Sequence, residues 1–175
     1  MYSKATIASL VLYLLARGQA AAIGDRAPDG LQVIHVDQVG NDTLTWFGSA
    51  NPVPRAVEDR GLSPLDVGCG TNDIKCSTDH IYYGPTCQTL FSTLDNNNWL
   101  SSSPRAVCLG QGDSQCCISW SRETSSSIQQ KNLLPSAKRT LAGCGLYNRS
   151  GQEWNVNLGS TCLSQCLSNR PNGCK

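Results

Sequence analysis

Ten cysteines and two histidines hold most of the reactive chemistry in this chain of 175 residues. The cysteines are Cys69, Cys76, Cys87, Cys108, Cys116, Cys117, Cys144, Cys162, Cys166 and Cys174. An even count confined to one segment behind a secretory leader implies a disulfide framework. Five bridges are possible, and the pairing is decided in space, not by spacing. Zinc is a poor alternative. There is no pair of C-x-x-C knuckles, and only His35 and His80 could add imidazole. No metal site is expected.

The histidines do not build a catalytic pair. General acid–base work needs two positioned groups. Asp79 adjoins His80, but adjacent side chains rarely face each other. Only Glu123, Glu153 and the aspartates could otherwise partner it. His35 reads as a partly buried strand histidine. No serine occupies a Gly-x-Ser-x-Gly elbow, and Ser121–Ser127 (SRETSSS) has no histidine nearby. We therefore assign no catalytic residue and no cofactor site, and expect a protein that is not an enzyme.

Composition agrees. Aromatics make up 6% and charged residues 15%, while Ser, Asn and Gly are plentiful, as in loop-rich extracellular proteins. Ile23 to Gly68 holds three Arg against seven Asp and Glu, a net −4; Cys69 to Lys175 holds nine Lys and Arg against six Asp and Glu, a net +3. A mild excess of that size is no basic patch, so nucleic acid is not an expected partner.

The elements that must position these residues begin after residue 22. Lys4, the ten-residue apolar run Ile7–Ala16 and the small residues Ala20-Ala21-Ala22 form a signal peptide, residues 1–22. The run is well short of the roughly 20 apolar residues that cross a bilayer. Secretion without stable membrane insertion is expected. Residues 23–68 form an extension. Within it Leu31–Val39 and Thr43–Phe47 predict a hairpin that turns at Gly40-Asn41-Asp42. Asn41 opens a glycosylation sequon in that turn. Ser49–Pro64, with three prolines, reads as a linker. The extension could be removed as a propeptide, or its hairpin could stay and add strands. Retention is favoured, because Arg55 and Arg60 offer no dibasic site.

Residues 69–175 form the cystine-rich domain, organised around Pro104–Trp120. Two strands flank Gly110-Gln111-Gly112-Asp113 there, so Cys116 and Cys117 should leave by opposite faces and tie the hairpin to two different elements. Cys87, Leu90, Phe91 and Leu94 form one stripe of a short helix. Pro135–Leu141 predicts a second helix, with Lys138-Arg139 on its exposed face. Leu146-Tyr147 and Trp154–Leu158 read as a strand pair, turning at Asn148-Arg149-Ser150-Gly151, which holds a second sequon at Asn148. Thr161–Leu167 predicts a last short helix with Ser160 as N-cap. The fold class is α+β: a small disulfide-rich α/β sandwich, its antiparallel sheet packed by two to three short helices.

CGTNDIKCSTDH, TCQTLFSTL, SPRAVC, CCISW and TCLSQCLSNRPNGC resemble the fungal secreted proteins with a WD-like fungal domain, from about Cys69 to Cys174, and the Leu31–Phe47 hairpin is expected to belong to it too. That family brings no established catalytic residues. A hydrophobin pattern does not fit, because only one Cys-Cys doublet is present. The succession of cysteine-bearing helices and strands, ending in WNVNL, is also similar in architecture to smut killer toxins and related necrosis-inducing effectors. Their His-Gly-Cys segment is here Ala142-Gly143-Cys144-Gly145, so toxin activity is an analogy only.

Three readings of function remain open. One is a secreted effector or toxin-like protein acting by binding, with Trp99, Arg122 or the SRETSSS loop as contact surface. Another is a wall-associated protein or an inhibitor of secreted enzymes. The third is a small hydrolase such as a ribonuclease. The expected partner is an extracellular protein or a wall target.

Overall fold

In a computed structural model of the protein, the described residues are 30–49, 69, 72–100, 104–124, 127–146 and 149–174. The expected signal peptide, the expected linker beyond Ser49 and Asn148 of the second sequon lie outside them.

Seven strands and two α-helices follow in chain order: β1 Leu31–Val39, β2 Asp42–Ser49, β3 Ile74–Ser77, α1 Gly84–Leu94, β4 Pro104–Gln111, β5 Ser114–Trp120, α2 Leu134–Cys144, β6 Ser150–Leu158 and β7 Thr161–Ser168. A 3-10 turn over Gln130–Leu133 leads into α2. The strands form one sheet in the order β1-β2-β4-β5-β7-β6-β3. Every neighbouring pair is antiparallel. The class is thus α+β, dominated by antiparallel sheet.

Turn chemistry explains the order. β4 and β5 are joined by Gly112-Asp113, with Gly112 at φ +55°. β6 and β7 are joined by Gly159-Ser160, both at positive φ (55° and 67°). Two such residues in succession make the tight turn whose twist matches antiparallel strands. This overturns the expected last helix. Ser160 is a turn residue, not an N-cap, and Thr161–Ser168 is strand β7. The expected strand at Leu146-Tyr147 is also replaced: β6 starts at Ser150, Leu146 lies in a bend, and Tyr147 lies outside the described residues.

The core lies between the helices and one face of the sheet. α1 packs on β4 and β5, and α2 on β6 and β7. The stripe Cys87, Leu90, Phe91 and Leu94 is buried against Val107, Leu109, Ile118 and Trp120. Leu44 and Trp46 of β2 belong to the same core, each 4% exposed. The hairpin from the extension is therefore part of the sheet and of the core.

Four disulfides frame the remainder. Cys76–Cys144 ties β3 to α2, Cys87–Cys116 ties α1 to β5, and Cys166–Cys174 ties β7 to the tail. Cys108–Cys117 joins residues that face each other within the β4–β5 hairpin, with Cα atoms 4.0 Å apart. Only Cys116 therefore links the hairpin to another element. Cys117 points away from the helices and finds its partner on the neighbouring strand.

Candidate functional site

The residues proposed for chemistry fall at four separate places. His80 lies in a polar cleft with Lys75, Asp79, Gln152 and Arg170. Its backbone sits at φ +53°, and its carbonyl accepts from Asn169 N at 3.1 Å. The Asp79 carboxylate accepts from Ser77 Oγ at 3.3 Å, and the His80 ring bonds to none of the described residues.

Glu153 has a different task. It is wholly buried on β6. Ser136 Oγ donates to one carboxylate oxygen at 2.7 Å; Arg139 donates to the other from Nε at 2.9 Å and Nη2 at 2.7 Å. A buried carboxylate needs such partners. Arg139, expected on an open helix face, thus spends its guanidinium on locking α2 to the sheet. Tyr82 is similarly structural. Its hydroxyl donates to Gly145 O at 2.8 Å, and burial pushes its pKa up to about 12.

Trp99 heads the most distinctive surface. Two antiparallel backbone bonds flank it, Leu100 N to Ile128 O and Gln130 N to Asn98 O, both 2.9 Å. Asn96 Nδ2 reinforces the frame by donating to Thr93 O and Gln130 Oε1. Leu100 and Ile128 point inward and are buried, so Trp99 points outward, 64% exposed. Beside it the sheet brings β1 against β2. His35 stands opposite Trp46, and a bulge between Val33 and His35 turns Ile34 toward the same cleft. His35 Nε2 and Asp37 Oδ1 lie 2.8 Å apart on its rim. The cleft holds about 210 Å³, below the roughly 300–1,000 Å³ of enclosed small-molecule sites. It is shaped for part of a larger surface.

β1 extends that surface. Among the described residues it is an edge strand, nine residues long with only Leu31 buried. Val33, Ile34 and Val36 are each 39–49% exposed. Exposed apolar groups on an unpaired edge commonly mark a place of protein association. Sequence reasoning singled out Trp99 but not Ile34 or Val36. Their signal was present: LQVIHVDQV keeps apolar residues on both faces of the strand, more than an edge needs.

Arg122 does not join Trp99. Its guanidinium donates to the carbonyl of Cys162, in a cleft shared with Cys69 and Glu123. Asn41 is exposed at the β1–β2 turn. Among the described residues, no group of three or more His, Cys, Asp and Glu is placed to hold a metal ion.

No curated protein and no solved structure matches the chain. The Fungal WD-like family matches over residues 67–174. The match takes in β3 to β7, both helices and all four bridges; the β1–β2 hairpin, expected to belong to the family domain, lies outside it. On that span, well over half of its length, the chain belongs to the Fungal WD-like family.

Proposed function

We propose that this is a secreted fungal protein, effector-like or toxin-like in action, that works by binding an extracellular protein through Trp99 and the β1 edge. The observation that carries this reading is the exposed Trp99, rigidly framed over a cleft that Ile34 of β1 also lines, on a strand whose outer edge is unpaired among the described residues. A rigid aromatic anchor with apolar neighbours suits a protein partner. The unpaired edge offers backbone bonds to a strand of that partner. The amino-terminal leader and the disulfide frame support an extracellular setting. The Asn41 sequon, at the hairpin turn, is the proposed glycan site. A wall-associated or inhibitory role would use the same surface on a different target.

Purified oxidised protein applied to plant leaf and to fungal cells tests this. The expected result is damage to one of them, reduced at least about tenfold by Trp99→Ala or Ile34→Lys, and absent from a reduced, alkylated sample. Full activity in both variants overturns the assignment of the surface. Retention on insoluble wall polysaccharide, with no protein captured, moves the function to wall association.

A further inference from the structure

The four bridges use eight of the ten cysteines. The other two, Cys69 and Cys162, are thiols in this structure and line one surface cleft with Asn157 and Ser160. Cys69 lies just ahead of β3, and its thiol donates to Asn155 O on β6 at 3.4 Å. Cys162 lies on β7 with Asn157 of β6 as its Cα partner, two residues beyond Asn155. The side chain of Cys162 leaves the sheet away from the helices, because its neighbour Leu163 enters the core and strand residues alternate.

The local backbone draws the two together. Asn155 sits at φ +57°, inside the irregularity between Glu153 and Val156. Such an irregularity bends a strand and re-aims its neighbours. Ahead of β3, Asp73 O accepts from Trp154 N at 3.0 Å, so Asp73 carries the pairing along β6 toward Asn155.

We propose that Cys69 and Cys162 form a fifth disulfide in the oxidised protein, pinning the chain ahead of β3 to the β6–β7 hairpin. The oxidant is the disulfide of an oxidised dithiol donor, as operates in secretory compartments. One cysteine thiolate attacks a donor sulfur and expels a donor thiolate. The second thiolate then displaces the donor from the mixed disulfide. One sulfur–sulfur bond forms and one breaks; two electrons and the two cysteine protons pass to the donor, which leaves as a dithiol. This bridge spans more of the chain than the longest in the structure, Cys76–Cys144 with a separation of 68 residues. In the chain-entropy account a longer closed loop restricts the unfolded state more. The inference rests on the cysteine geometry and not on the binding surface.

The test uses the secreted, oxidised, deglycosylated protein. It combines intact mass, alkylation without reductant, and mapping of linked peptides. The expected outcome is a mass ten hydrogens below that of the same sample after reduction, one for each of ten cysteines. No thiol should be alkylated, and one linked pair should contain Cys69 and Cys162. In Cys69→Ser, Cys162 should become the one alkylated thiol while the four other bridges persist. Alkylation of both cysteines in the unaltered protein overturns the proposal. So does a link from either to another cysteine, or a covalent dimer through them.

Discussion

The β1–β2 hairpin contains no cysteine, whereas the span from β3 to the tail carries four bridges. Yet the hairpin shares the core and the sheet of that span. Leu44 and Trp46 are buried in the core with residues of the central strands, and β2 pairs along β4 from Thr43 to Gly48. One region is held by covalent closure as well as packing. The other is held by strand pairing, by the buried Leu31, Leu44 and Trp46, and by the hydrogen bond from Gln111 Nε2 to Asp42 Oδ2 at 3.1 Å. The family match covers the first and leaves out the second, and the second supplies β1, one half of the candidate surface. The difference suggests a division of labour, with a cross-linked frame and a non-covalently seated strand pair that presents contacts.

The largest effects should strike where the two regions meet. Trp46→Ala removes the main apolar anchor of the hairpin and should cost about 3–5 kcal/mol, read from denaturant unfolding of the oxidised protein. A cost under about 1 kcal/mol would mean that the hairpin merely rests on the frame. Replacing both Cys87 and Cys116 by Ala opens a loop with a separation of 29 residues and should cost about 3–4 kcal/mol. The same change at Cys108 and Cys117, separated by 9 residues, should cost less, since the loop it closes is shorter. Equal losses would contradict loop closure as the source of the frame's stability.

Smaller effects sharpen the contrast inside the frame. Arg139→Met leaves the Glu153 carboxylate buried with Ser136 as its remaining partner. The expected cost is about 2–3 kcal/mol, toward the low end for a broken buried pair, because Arg139 is 44% exposed and water can replace part of it. Tyr82 gives a pH signature. Its phenol is neutral in both states below pH 10, the ordinary value. Between there and about 12 the unfolded chain ionises and the folded one does not. Stability should therefore hold below pH 10 and fall as pH rises toward 12, by up to about 1.4 kcal/mol per pH unit. Tyr82→Phe should remove that slope while losing the bond to Gly145. A steep slope that survives in the variant would assign it to other groups. The least effect on stability is expected from Trp99→Ala, within about 0.5 kcal/mol, although it should abolish binding.

Helix α1 and the β1–β2 and β4–β5 hairpins were legible because their signals are local. Cys87, Leu90, Phe91 and Leu94 mark one helical stripe, and glycine marks the turns. Strand β7 was misread for a physical reason. Its core face carries Leu163, Gln165 and Leu167, and Gln165 is buried because its amide donates to Leu133 O at 3.2 Å. A polar residue on the inner face hid the alternation, and Cys162 and Cys166, four apart, suggested a helix. Strand β3 spans only four residues at the sheet's other edge, too short to show a period. The Trp99 surface was half legible. An isolated tryptophan can be flagged from sequence, but its neighbours Ile34 and His35 arrive through sheet order, over a long chain separation. The Arg139–Glu153 pair was missed likewise, since neither residue looks buried by type.

The measurement that tests the account most directly places one specific protease site between residues 50 and 68 and cuts the folded, oxidised protein there. No cysteine precedes Cys69, so nothing covalent then joins the hairpin to the frame. The account predicts that both pieces stay together through native gel filtration and separate only on denaturation without reductant. Separation under native conditions, with the cystine-framed piece still folded, would contradict the claim that the hairpin is part of the core.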